Sequence, residues 1–197
     1  MTDLQSRVAP TYERLADLLA RDAGQWDTPS LCEKWAVRHV VAHVTMPARL
    51  TPEQFGAEMA AAGGDFNVLS DTVALRDGSL PVDELLDQLS SPTLHAWQPP
   101  GGGAAGALSH AVIHSLDVTL PLRQPPAAPL DAVMRVLDEL VAAEGSWFGV
   151  DLADVQLHAT DVEWSWGEGT RVQADGGSLV ALLSGRTLPD GTALPRR

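Results

Sequence analysis

The run LSHAVIHSLDV places His110 and His114 four residues apart on what reads as one helix, Ala104 to Leu120. Side chains at i and i+4 of an α-helix project from one face. That face is otherwise apolar, so burying two imidazoles on it is costly unless they share a partner. The helix must therefore pack against others, and a second helical segment, RHVVAHV, offers His43. Two imidazoles one turn apart and a third from a neighbouring helix make a three-nitrogen site for one metal ion. A position is left open for water or substrate, as in catalytic metal centres and unlike closed structural ones.

Charge and cysteine content limit the partners. Thirteen Lys and Arg against 26 Asp and Glu give a formal net charge of −13, which repels phosphate backbones and anionic lipid surfaces, so neither a nucleic-acid nor a membrane partner is expected. With 45% hydrophobic and 20% charged residues over 197 positions, the chain is globular and long enough for a substantial core. Cys32 is the only cysteine, which excludes an intramolecular disulfide and a thiolate zinc cluster. The beginning, MTDLQSRVAP, has no apolar signal core, and no stretch approaches the roughly 18 apolar residues of a membrane span. A cytoplasmic protein is expected, and the sequence leaves its oligomeric state open.

The periodicities are mainly helical. Leu4, Val8, Leu15, Leu18 and Leu19 follow helical spacing, and Pro10 predicts that this helix either kinks or begins there. Turn formers fill GQWDTPSLCEKW; Trp35 is expected to open a helix with Val37, Val40, Val41 and Val44 on its apolar face, and Pro47 to bend it one turn beyond His43. Pro52 suits a first helical position before EQFGAEMAAA, which Gly63 and Gly64 end; Pro81 precedes the short amphipathic VDELLDQL. Beyond the linker RQPPAAP, Leu130 to Glu144 has bundle spacing at Val133, Val136, Leu137, Leu140 and Val141. The pattern then changes: VQLHATDVEWSW alternates like a strand pair, GEG turns, TRVQA reads as another strand and SLVALLSGR as a short helix. The fold class is mainly α, with a helical bundle over residues 1–124 and a small C-terminal α+β unit over 125–197.

The remaining chemistry-bearing residues divide unevenly. His95 and His158 have no partner at metal-binding spacing and read as hydrogen-bonded structural residues. His39 forms a second i, i+4 pair with His43, yet a four-histidine cage would leave no room for substrate, so His39 reads as solvent-facing or as a supporting residue. Asp117, three residues after His114, is either a carboxylate that orients an imidazole or acts near the open position, or a solvated helix acid. Cys32 lies in a loop without an identifiable base and reads as a buried, unreactive thiol. Trp26 and Trp35 read as bracing for the loop before the second helix.

Three motifs in order, WDTPSLCEKWAVRHVVAHV, the histidine helix ending HSLDV, and ATDVEWSWGEG followed by LVALLSGRT, resemble the mycothiol-dependent maleylpyruvate isomerase family. That family belongs to the DinB-like superfamily of metal-binding four-helix bundles. The resemblance covers most of the chain, with little signal between about Ala48 and Pro100. It implies a divalent metal, usually zinc, held by His43, His110 and His114, with mycothiol as co-substrate. It also implies that Arg186, in SGRT, faces the active site and meets an anionic substrate or the thiol; the plainer alternative is a surface arginine complementing a helix dipole. Two positions depart from the family: Glu is usual where this chain has His110, and Arg where it has Ala107. Imidazole in place of carboxylate leaves the centre one unit more positive and better able to stabilise a thiolate or hydroxide.

These readings predict a metal-dependent enzyme in which a low-molecular-weight thiol, its pKa lowered at the metal, attacks a small electrophilic substrate. The outcome is S-transfer, or cis–trans isomerisation if the thiol is expelled again. Two alternatives remain at this stage: a hydrolase using metal-activated water on the same ligands, and a non-catalytic metal- or partner-binding bundle.

Overall fold

A computed structural model describes residues 3–197. Helices α1 (Val8–Leu19), α2 (Val37–Val44), α3 (Met46–Arg49), α4 (Pro52–Ala61), α5 (Phe66–Asp77), α6 (Val82–Leu89) and α7 (Pro92–Ala96) lead to the long α8 (Gly103–Thr119). After a linker come α9 (Leu130–Ala142), strands β1 (Val155–Ala159), β2 (Ser165–Trp166) and β3 (Thr170–Ala174), and α10 (Gly176–Leu183). The architecture is mainly helical with a small C-terminal sheet, as the periodicities predict.

Local chemistry explains the element ends, including those that differ from the sequence reading. Pro10 neither kinks nor starts α1. The helix begins at Val8 and Pro10 lies in its first turn, where an amide needs no intrahelical partner. Trp35 does not open α2: its amide closes a turn onto the Cys32 carbonyl, Ala36 is extended, and the helix starts at Val37. Pro47 does more than bend this segment. It lacks the N–H that would bond to the His43 carbonyl, so α2 stops at Val44 and the separate turn α3 begins at Met46. Thr51 and Gln54 cap α4 reciprocally, and Gly63 and Gly64 at φ 66° and 82° end it in a conformation that other residues rarely adopt.

The sheet has the order β2-β1-β3. β1 pairs antiparallel with β2, with Leu157 opposite Trp166, and parallel with β3, with Leu157 opposite Val172. The inward residues of β1, Val155, Leu157 and Ala159, alternate with half-buried ones, which is the period of a one-faced strand.

α8 is shared by two hydrophobic cores. Leu108, Val112 and Leu116 pack with residues of α9, α10 and β1. Ala107, Ala111 and Val118 pack with those of α1, α2 and α6. Its glycine- and alanine-rich first turns admit a close neighbour: a Cβ added at Gly106 would lie 2.8 Å from Pro99 Cγ. The segment before α8 is thereby pressed onto the helix, and Trp97 is held beside it. Among the described residues, no helix is long and apolar enough to cross a membrane.

Candidate metal centre

His110 and His114 lie one turn apart on α8, and His43 lies in the last turn of α2, which packs against α8. Ring centroids are separated by 4.7 Å for His110 and His114, 4.8 Å for His43 and His114, and 5.5 Å for His43 and His110. One ligand nitrogen from each lies within 4.8 Å of the others. Around a tetrahedral zinc with Zn–N of about 2.0–2.1 Å the nitrogens would stand about 3.3 Å apart, so small side-chain rotations close the triangle.

The second nitrogens of the two α8 imidazoles are taken by protein groups. His110 Nδ1 is hydrogen-bonded to the hydroxyl of Tyr12 on α1 at 3.0 Å, and His114 Nδ1–H donates to Asp117 Oδ2 at 2.8 Å. Both leave Nε2 for a ligand. His43 Nδ1 is buried and has no hydrogen-bond partner, a polar atom that a nearby cation would compensate. Burial, with the neighbouring imidazoles, lowers His43 to about 3 and His110 well below the usual histidine value. Both are neutral at pH 7 and offer lone pairs without proton competition. The donor set, three imidazoles with two oriented by partners, fits a divalent cation.

Asp117 is 1% exposed, which removes the solvated-acid reading. Its Oδ1 accepts from Arg186 Nε at 2.8 Å; its Oδ2 accepts from His114, from Arg186 Nη2 at 2.9 Å and from the Cys32 thiol at 3.1 Å. Burial alone would raise its pKa, but Arg186 and His114 outweigh it and hold the carboxyl below its usual range. Arg186 is thus not a surface residue. It reaches from the turn after α10 and also donates from Nη1 to the Ser184 carbonyl at 2.9 Å. Leu31 N–H donates to the Asp117 carbonyl at 3.0 Å, which fixes the loop carrying Cys32 over this pair. Burial, then the Asp117 charge, pushes the thiol pKa up, so Cys32 is a protonated donor here. Cys32, His114 and Asp117 also converge closely enough to surround a cation. With both Asp117 oxygens occupied by Arg186 and the thiol protonated, that group is an internal network and not a second vacant donor set.

Aromatic rings border the triad. Trp35 lies 5.1 Å from His43, Phe66 6.4 Å from His43, and Trp97 5.2 Å from His110. Trp35 therefore does more than brace its loop, while Trp26 is 1% exposed and purely internal. The other histidines stand apart. His39 Nδ1 accepts from the Ala36 amide at the start of α2, His95 Nε2 pairs with the Leu89 carbonyl, and His158 Nδ1 pairs with Ser165 Oγ. Sequence reasoning missed Tyr12, Phe66 and Trp97. Tyr12 is the only tyrosine, on the inner face of α1, and a buried hydroxyl needs a partner; no local pattern marks the other two.

Three comparisons with known proteins bear on this geometry. The pattern of the mycothiol maleylpyruvate isomerase N-terminal domain matches residues 8–163. The crystal structure of the mycothiol-dependent maleylpyruvate isomerase is similar at a TM-score of 0.54, and that of a histidine-to-alanine variant at 0.53. Each has 18% sequence identity over 98% of this chain and 94% of the other. No curated protein matches the chain.

Proposed function

The chain belongs to the mycothiol maleylpyruvate isomerase family, and from that premise we propose that it is a metal-dependent enzyme using a mycothiol-like thiol on a small electrophilic substrate. The outcome is S-transfer or isomerisation. His43, His110 and His114 hold the divalent cation, zinc by preference, since three nitrogen donors suit it. The observation that carries this reading is the convergence of three imidazoles, two of them partnered through Nδ1. A cation bound there supplies Lewis acidity, lowering the pKa of an incoming thiol so that thiolate is present at neutral pH.

The chain's own groups do the rest. Asp117 holds His114 in the tautomer with a proton on Nδ1, and Tyr12 fixes the ring of His110. Arg186 balances the Asp117 charge, so the carboxylate orients His114 without adding net negative charge to the centre. In this reading Asp117 and Arg186 are positioning residues. Residues 1–124 then carry the ligands and 125–197 supply Arg186.

The test is metal analysis of the purified protein together with thiol-dependent turnover. We expect one zinc per chain, loss of that zinc in His110→Ala/His114→Ala, and consumption of electrophile only when thiol is added. Stoichiometric zinc surviving in the double variant refutes the site. Turnover indifferent to thiol refutes the thiol chemistry in favour of hydrolysis.

A further inference from the structure

Of the three candidate ligands, His110 is met by a segment that belongs to no helix. Trp97 follows the end of α7 and sets its ring edge-on to His110, the centroids 5.2 Å apart and the planes at 62°. Gln98, Pro99 and Pro100 then lead to three glycines at 101–103, the last of which begins α8. Pro99 and Pro100 have no N–H, so a backbone ladder cannot hold this stretch. Its seat on α8 is made of glycine. A Cβ added at Gly102 or Gly106 would lie 2.8 Å from Pro99 Cγ, well inside the about 3.5–4.0 Å of an ordinary carbon–carbon contact. A larger residue at either position would lift the proline from the helix.

What fastens the stretch is one side chain from the turn ahead of α1. Gln5 Nε2 donates to the His95 carbonyl at 2.6 Å and to the Trp97 carbonyl at 3.4 Å, and Gln98 Nε2 donates back to Gln5 Oε1 at 3.0 Å. Upstream of Trp97 the chain is fixed: His95 pairs with the Leu89 carbonyl, and its ring stacks on that of Tyr12 at 6.4 Å and 8°. Downstream, Gly101 and Gly103 have φ of 77° and 56°, a region that glycine enters and leaves at no steric cost. Gly102 and Gly106 also line a cavity of about 540 Å³ with Ser109, Glu139 and Trp147, so open space borders the seat of Pro99. A pinned end, a glycine hinge and a latch of side-chain hydrogen bonds, each of small net worth because water replaces it, are the parts of a strap that opens without unfolding its neighbours.

Resting on the metal centre proposed above, we infer that residues 97–102 form a strap that closes the His110 side of that centre. Gln5 is its latch, and it moves about the glycines at 101–103 to let the cation pass. Such a gate acts on the barrier alone. Where closed and open strap are balanced in the same way with and without metal, releasing the strap speeds uptake and loss by one common factor and leaves the affinity unchanged. A contact that merely supports the ligands behaves differently, because its removal speeds loss and weakens binding.

The test uses the full chain with zinc alone as the probe. Stopped-flow measurements follow uptake by the metal-free protein and loss to an excess of chelator, and competition gives Kd. Gln5→Ala cuts the latch. Gly106→Ala removes the seat while raising helix propensity at that position, so a faster exchange there does not come from a weaker helix. We expect each variant to take up and lose zinc roughly five- to tenfold faster, with Kd within about twofold of the wild type. Acceleration in one direction only, or wild-type rates in either variant, overturns the inference and leaves the metal centre standing. Wild-type protein that binds no zinc refutes the centre, and the strap's role with it.

Discussion

Replacing Asp117 by Asn tests the buried network most directly. The carboxylate receives Arg186 through both oxygens and His114 and Cys32 through one of them, at 1% exposure. Asn keeps one acceptor oxygen and turns a donor NH2 toward donors at the other position, while the Arg186 charge stays largely buried and uncompensated. Removing one partner of a buried pair costs about 3–5 kcal/mol; the retained oxygen places this change near the lower end. A chain of this size shifts by roughly 2–4 °C per kcal/mol, so metal-free Asp117→Asn should melt about 6–12 °C below the wild type. Adding Arg186→Met removes the stranded charge and should recover more than half of the loss. Calorimetry or circular dichroism of metal-free protein at pH 7 reads the shift, and zinc competition reads the second effect, a roughly 10- to 100-fold weaker site once His114 loses its orienting partner. A shift under about 2 °C, or a double variant no more stable than the single one, would refute the claim that Asp117 answers a buried cation.

Two further predictions follow from the same residues. Buried, neutral His43 and His110 bind protons only well below the ordinary histidine range, so the unfolded chain takes up more protons as pH falls below about 6.5. Their effect is that metal-free protein loses stability from about pH 6.5 downward, toward about 3 for His43, and urea midpoints should flatten over that window in His43→Gln; an unchanged slope would show that His43 is solvated. Tyr12→Phe removes only the hydroxyl facing His110 and should cost about 1 kcal/mol and weaken zinc severalfold without abolishing it. Zinc affinity equal to wild type in that variant would mean the contact does not orient the ring.

Much of the helical frame is legible because its signals are local. VDELLDQL lies between Pro81 and Ser90 as the amphipathic pattern predicts, and the i, i+4 spacing of His110 and His114 already fixes their shared face. α5 is less legible because Phe66, Val68 and Leu75 stay exposed, so its apolar residues define no clean stripe; only the Asp65 cap betrays it. Boundaries such as Val37 escape because a turn involving Cys32 and Trp35, not propensity, decides where the helix begins. The Asp117 to Arg186 contact spans 69 residues and the Tyr12 to His110 contact spans 98, distances over which no periodicity speaks. The triad is legible as a possibility, and what surrounds it follows only from tertiary packing.

The reach of Arg186 back to α8 also sets an order of assembly during synthesis. His43, His110 and His114 are all translated before the guanidinium that offsets Asp117, which follows that carboxylate by 69 residues. A nascent chain carrying every imidazole thus holds Asp117 without its counter-ion, and His114 acquires its settled environment only after the turn beyond α10 has docked.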